Sequence, residues 1–250
     1  MVNTIPDLHF IGDSQTFALY TYEPVGEADQ NDLFSGQDEV INGYRRKDNI
    51  TNATLASYRA IYNDQGIEKE DIFFYVYGLL HSEEYKTNYK SDLAKQLPKI
   101  PHVKDFWGFS AAGRQLSDLH INYESVDPFP ITEVSRSEVG SDFDFYRIRK
   151  LSFGSRSDKS TLTFNDHISL TGIPDDTFKY QVNGRSALEW IIDRYQVRTH
   201  KDSQISNDPN KYSEEVEDPR YILDLIKRIV TVSVETVRII RGLPPLDIIG

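Results

Sequence analysis

The side chains suited to binding chemistry gather in three cationic stretches. Arg45, Arg46 and Lys47 are consecutive. Arg147, Arg149 and Lys150 are followed by Arg156 and Lys159, and a third stretch holds Arg198, His200, Lys201, Ser203, Gln204 and Asn207. Clustered cations attract phosphates and other anions. Here they sit in an acidic chain, whose 28 Lys+Arg against 39 Asp+Glu leave a formal net charge of −11. That balance argues against a protein that coats nucleic acid non-specifically, while binding by local basic loops stays open. It also makes the local group at 147–159 more telling than it would be in a basic protein.

Arrangements that carry catalytic chemistry are missing. There is no GxxxxGK[ST] phosphate loop, no GxGxxG turn, no HExxH and no GxSxG elbow. The six His are scattered without ligand spacing, and Cys is absent, which excludes disulfides, thiolate catalysis and Cys-ligated zinc. Pro174-Asp175 suits a metal-binding Pro-Asp only with a downstream Glu-x-Lys. The one such triplet, Glu84-Tyr85-Lys86, lies upstream, so Pro174-Asp175 reads as a turn and helix cap. Adenine-amino methyl transfer needs an Asn/Asp-Pro-Pro-aromatic loop to hold a flipped base, and Leu243-Pro244-Pro245-Leu246 has the wrong flanks. The chain alone does not read as an enzyme. No apolar run approaches the ~18 residues of a membrane span, and the N-terminus shows neither basic nor apolar leader character, so a cytoplasmic location is expected.

The elements that would position these groups define an α+β chain, mainly helical with a small antiparallel β-meander. Aromatic residues at 12% argue for a folded core. Residues 1–48 read as an extended opening segment and a variable loop, with Arg45-Arg46-Lys47 ending the loop. Residues 49–250 read as one domain, with a helical part at about 51–123, a meander at about 143–173 and C-terminal helices at about 185–241.

Within that domain, helical spacing starts at Thr51 and Gly66 is placed to stop it. EKEDIFFYVYGLLHS reads as a buried helix, 83–96 as a third, and a fourth starts with Asp105 as its cap. Trp107 and Trp190 read as core anchors, and His81 and His120 as core or capping histidines. FDFYRIRKLSF, STLTF and HISLTGI read as strands, which sets Arg147 and Arg149 on one strand face. A three-residue loop Asn165-Asp166-His167 pairs Phe164 with Ile168 and Leu162 with Leu170, keeping apolar residues on one face. RTHKDSQISNDPN reads as a polar loop and SEEVED as an acidic linker. The last helix begins at Pro219, with TVSVETV also alternating like a strand.

Several long stretches in order carry a family resemblance: DLHFIGDSQTFALYTYE at 7–23, KEDIFFYVYGLLHSEEYKTNYKSDLAKQLPKIP at 69–101, DFWGFSAAGRQLSDLHINYE at 105–124, DKSTLTFNDHISLTGIP at 158–174, YQVNGRSALEWIIDRYQVRTHKDSQISNDPN at 180–210 and DPRYILDLIKRIVTVSVETVRII at 218–240. Together they resemble the C-terminal specificity region of the type ISP restriction-modification enzymes. In that family one polypeptide joins a nuclease, a helicase-like motor, an adenine methyltransferase and a target-recognition domain. The resemblance implies sequence-specific recognition of duplex DNA by this chain, with the methyltransferase and helicase-like domains of the same polypeptide as partners. It places S-adenosylmethionine, ATP and Mg with those other domains and no cofactor here. The loops at 24–48 and 125–157 depart from the shared pattern, as target-encoding loops would.

On that resemblance the candidate DNA contacts are Arg45, Arg46, Lys47, Arg147, Arg149, Lys150, Arg156, Lys159, Arg198, Lys201 and Gln204. Arg and Gln are the types that pair bidentately with base edges, while other cations hold register on phosphates. The 198–207 stretch belongs to the shared pattern, which favours phosphate contact or loop structure there over base readout. Arg45-Arg46-Lys47 also fits a solvated cluster offset by neighbouring acids. The rival reading is a protein-interaction module whose apolar helices dock the methyltransferase or motor.

Overall fold

The apolar spacing that begins at Thr51 becomes a helix because the Thr51 hydroxyl accepts from the Thr54 N–H at 3.1 Å and so starts it. The computed structural model describes residues 17–25, 40–93, 95–136, 140–155, 157–199 and 201–250. The chain divides into two compact units, one of Met1–Ser117 with Leu243–Gly250 and one of Asp118–Gly242.

In the first unit β1 (Tyr20–Pro24), β2 (Val40–Ile41) and β3 (Tyr44–Asp48) form an antiparallel sheet in the order β1-β3-β2. Arg45, Arg46 and Lys47 therefore lie on a strand, not at the end of a loop as expected. The Asn42-Gly43 turn, with both residues at positive φ, folds β2 back onto β3. The helices are α1 (Asn52–Tyr62), α2 (Lys69–His81), α3 (Glu83–Asn88), α4 (Lys90–Leu93) and α5 (Phe106–Ile121), whose last residues fall in the second unit. α1 stops at Asn63, which adopts φ 49°, and not at Gly66. The single helix expected at 83–96 is two short ones broken at Tyr89. Asp105 caps α5 as read, its Oδ1 accepting from the Gly108 N–H at 2.8 Å.

The first core gathers Tyr58, Ile72, Tyr75, Leu79, Tyr85, Phe106 and Phe109. Burying tyrosines requires partners, and they exist: the Tyr75 hydroxyl donates to the Pro101 carbonyl at 2.6 Å and accepts from the Val103 N–H at 3.0 Å. α2 and α5 cross at glycines, since a Cβ at Gly78 would meet the Phe109 carbonyl and one at Gly113 the Phe74 carbonyl. Trp107 is not the expected core anchor. It is exposed, with Nε1 donating to Asp64 at 2.9 Å.

In the second unit β4 (Thr132–Ser135), β5 (Ser152–Phe153), β6 (Thr161–Thr163) and β7 (Ile168–Thr171) make a sheet in the order β4-β7-β6-β5. The register pairs Leu162 with Leu170, and the Phe164 N–H donates to the Ile168 carbonyl, as the apolar matching requires. β4 was not anticipated in the 125–157 loop. FDFYRIRK is not a strand: Asp142–Phe145 is the short helix α6, and the following residues are irregular until β5.

After a 3-10 turn at Asp175–Phe178 come β8 (Gln181–Val182), β9 (Arg185–Ser186), α7 (Ala187–Arg194), β10 (Arg198–Thr199), β11 (Ser206–Asn207), α8 (Asn210–Glu215) and α9 (Tyr221–Arg241). Two expected loops thus have structure: the polar loop after α7 contains a two-stranded hairpin, and α8 takes the first residues of the acidic linker. α9 starts two residues after Pro219 and continues through TVSVETV. Its Ile222, Ile226, Ile229, Val230, Ser233 and Val237 recur at helical spacing and are buried. The second core joins α9 residues to Leu162, Phe164, Leu170, Ile173, Leu188 and Ile192.

Candidate nucleic-acid interface

The second and third cationic stretches meet in the second unit. Residues 145–147 donate their N–H groups back to Ser141, Asp142 and Asp144, but the carbonyls of Phe145, Arg147 and Arg149 and both backbone groups of Ile148 are met from elsewhere, by two asparagines and one loop amide. Asn165 accepts the His167 and Ile168 N–H groups on Oδ1, closing the β6–β7 turn. Its Nδ2 donates to the carbonyls of Phe145 at 2.8 Å and Arg147 at 3.1 Å. Asn210, buried at 5% exposure, accepts the Ile148 N–H and donates to the Ile148 carbonyl, both at 2.9 Å. The Val197 N–H donates to the Arg149 carbonyl at 3.1 Å. Both ends of the β10–β11 hairpin are thereby fastened to the segment that carries Arg147, Arg149 and Lys150.

Arg147 and Arg149 do not share a strand face, because no strand exists there, and they differ in surroundings. Arg147 reaches Glu214 at 2.6 Å and Asp208 at 3.4 Å. Arg149 and Lys150 are exposed, and neither forms an ion pair among the described residues. Lys159 is drawn to Glu189 at 2.7 Å and lies over the Phe153 and Phe178 rings. Glu189 also closes the capping box of α7 with Ser186. Burial works to raise the Glu189 carboxyl, but Lys159 and Ser186 outweigh it and bring it down to about 2. Arg156 lies outside the described residues.

Arg198 pairs with Asp193 at 2.6 Å and holds that carboxyl below its usual range, with Arg185 adding to the effect. Lys201 and Gln204 occupy the exposed hairpin tip. Gln204 adopts φ 54°, and its Nε2 donates to the Lys201 carbonyl at 2.6 Å, so that amide shapes the tip. His200 lies outside the described residues. In the first unit Arg45 faces Glu23 in register, Arg46 stacks over the Tyr20 ring at 4.4 Å, and Lys47 pairs with Glu23 at 3.3 Å with both side chains exposed.

The histidines behave as read. His81 Nδ1 lies 2.8 Å from the Tyr77 carbonyl, and His120 Nε2 lies 2.8 Å from the Thr236 hydroxyl while its ring stacks on Tyr180. Trp190 is half-buried, donating to the Val182 carbonyl beneath Arg185. The clamps made by Asn165 and Asn210 were missed from sequence. The available signal was asparagine inside a hairpin turn and at the helix-starting Asp-Pro-Asn. Among the described residues, no group of three or more His, Asp or Glu could hold a metal, and no helix is long and apolar enough to cross a membrane.

Residues 1–225 match the model of the Type ISP C-terminal specificity domain. Among solved structures, the chain is similar to the ATP-dependent Type ISP restriction-modification enzyme LlaBIII bound to DNA, at 34% identity over 99% of this chain and 15% of that one, with a TM-score of 0.81. It is also similar to a nuclease-deletion mutant of the Type ISP enzyme LlaGI in complex with a DNA substrate mimic, at 38% identity over 82% of this chain and 14% of that one, TM-score 0.68. A third likeness is to the DrdV–DNA complex solved by cryo-electron microscopy, at 34% identity over 82% of this chain and 21% of that one, TM-score 0.69. Among curated proteins none matches the chain. The chain spans at most about a fifth of the length of these solved relatives.

Proposed function

Because the chain belongs to the family of Type ISP C-terminal specificity domains, we propose that it recognises a duplex DNA target on behalf of a larger restriction-modification enzyme. The observation that carries this reading is the likeness, over nearly the whole chain, to a Type ISP enzyme bound to DNA. The second unit supports it by presenting a braced hairpin beside the exposed Arg149 and Lys150. Methylation, translocation and cleavage belong to portions outside this chain, and S-adenosylmethionine, ATP and Mg with them. The cytoplasm, where such an enzyme meets DNA, is the proposed compartment.

Arg147, Lys159 and Arg198 serve chiefly to hold the surface together, since each already has an acid at about 2.7 Å or less. Arg149, Lys150 and Lys201 are left as the phosphate contacts of this face. Three such contacts on a chain of charge −11 imply weak binding, with log K falling by about 0.9 per phosphate for each tenfold rise in salt.

The test is selection of the purified chain against a randomised duplex pool at low salt, followed by sequencing. Enrichment of one asymmetric motif is expected, and it should weaken in Arg149→Ala/Lys150→Ala. Binding that fades with salt and enriches nothing would overturn the reading and favour a docking module for the neighbouring domains.

A further inference from the structure

The β10–β11 hairpin carries an apolar side chain that folding does not explain. Ile205 is 70% exposed, more than any other large hydrophobic among the described residues. Its surroundings are ordered by polar contacts. Gln204 Nε2 holds the Lys201 carbonyl, and the Ile205 N–H donates to the Ser203 hydroxyl at 3.4 Å. The tip closes on itself in this way and leaves the Ile205 side chain in water.

The hairpin under that tip is stiffly mounted. Arg198 is held by Asp193, Val197 is bonded to Arg149, and Asn210 grips both backbone groups of Ile148. Two-residue strands carry the tip roughly 7 Å beyond this base, comparable to the ~7.5 Å depth of the DNA minor groove. Cations stand at both levels, Lys201 at the tip and Arg149 and Lys150 at the base, with Asp202 the acid within the tip. An apolar side chain at the end of a braced arm, flanked by cations, matches the way minor-groove proteins unstack a base step while holding nearby phosphates.

We propose that Ile205 is a wedge that enters a base step of duplex DNA from the minor groove, with Lys201, Arg149 and Lys150 on the flanking phosphates. The proposal rests on the DNA-recognition reading and goes further by naming the element and its action. A wedge of this kind acts through stacking, not base-edge hydrogen bonds, so it loosens the duplex whatever the motif read elsewhere on the chain.

The experiment places 2-aminopurine, whose fluorescence rises on unstacking, at each position in turn of the enriched duplex, and titrates the whole 250-residue chain. Wild type is expected to give a rise at one step. Ile205→Ala should abolish it and weaken binding about tenfold, while Ile205→Leu keeps both, with the melting temperature unchanged in each. Motif-specific binding without any such rise, or with a rise that Ile205→Ala leaves intact, would overturn the wedge alone. Failure to bind any duplex would overturn the wedge and the recognition reading together.

Discussion

Replacing Asn210 by alanine should cost the second unit far more than the loss of one polar side chain suggests. Asn210 makes three side-chain hydrogen bonds: it accepts from the Ile148 N–H, donates to the Ile148 carbonyl and donates to Asp208 at 2.6 Å. Ile148 has no exposed surface, so alanine leaves its N–H and carbonyl buried without partners. Each orphaned buried group costs about 1–3 kcal/mol, which sets the loss for the two at about 2–6 kcal/mol. At about 2–4 °C per kcal/mol for a chain of this size, the melting temperature should fall by roughly 4–24 °C. Circular dichroism melts give the shift, and amide exchange at Ile148 localises it. Asn210→Asp keeps the acceptor, loses the donor to the Ile148 carbonyl and sets a second carboxylate against Asp208. It should be at least as damaging at neutral pH and should partly recover in acid. An alanine variant within ~0.5 kcal/mol of wild type would refute the clamp, because water would then satisfy Ile148 as well as Asn210 does.

Gly113→Ala and Gly78→Ala should each destabilise the first unit by about 3 kcal/mol or more, because the added methyl meets backbone carbonyls that have no rotamer to escape into. A melt within 1–2 °C of wild type would show that α2 and α5 can slide apart. Burial of His81 lowers its pKa from 6.5 to about 4, so the unfolded chain binds its proton first. Its share of stability is complete above pH 6.5 and is lost as pH falls towards 4, amounting to about 2 kcal/mol by pH 5. His81→Gln should flatten the melting temperature between pH 7 and 5 relative to wild type, and parallel curves would contradict this. Arg149→Ala/Lys150→Ala should leave stability unchanged and reduce the salt slope of DNA binding by about 2. Arg147→Ala should instead lower the melting temperature, since Asp208 and Glu214 lose their shared cation, and an unchanged melt would remove its structural role.

Much of the fold was legible where periodicity and caps agree. α2, α5 and α9 follow from apolar spacing, and the β6–β7 register follows from matching Leu162 to Leu170. Failures fall where a side chain from far away settles the backbone. FDFYRIRK has strand composition, yet Asn165 and Asn210 take the bonds that a neighbouring strand would have taken. Trp107 has the residue type of an anchor, but it occupies the exposed face of α5, whose buried face is Phe106, Phe109, Gly113 and Leu116.

The candidate site was legible as composition and not as availability. The cations of 147–159 and 198–204 stand out in an acidic chain. Which of them are free for a ligand depends on acids such as Glu189, Asp193 and Glu214, brought to them by folding.

A target-recognising chain distinguishes one duplex sequence from another. The most direct test is the affinity of the chain for the enriched duplex against a series of single-base-pair changes, at one fixed salt concentration. Changes inside the motif should weaken binding by about tenfold or more each, and changes outside it should do nothing. Equal affinity across the whole series would contradict target recognition.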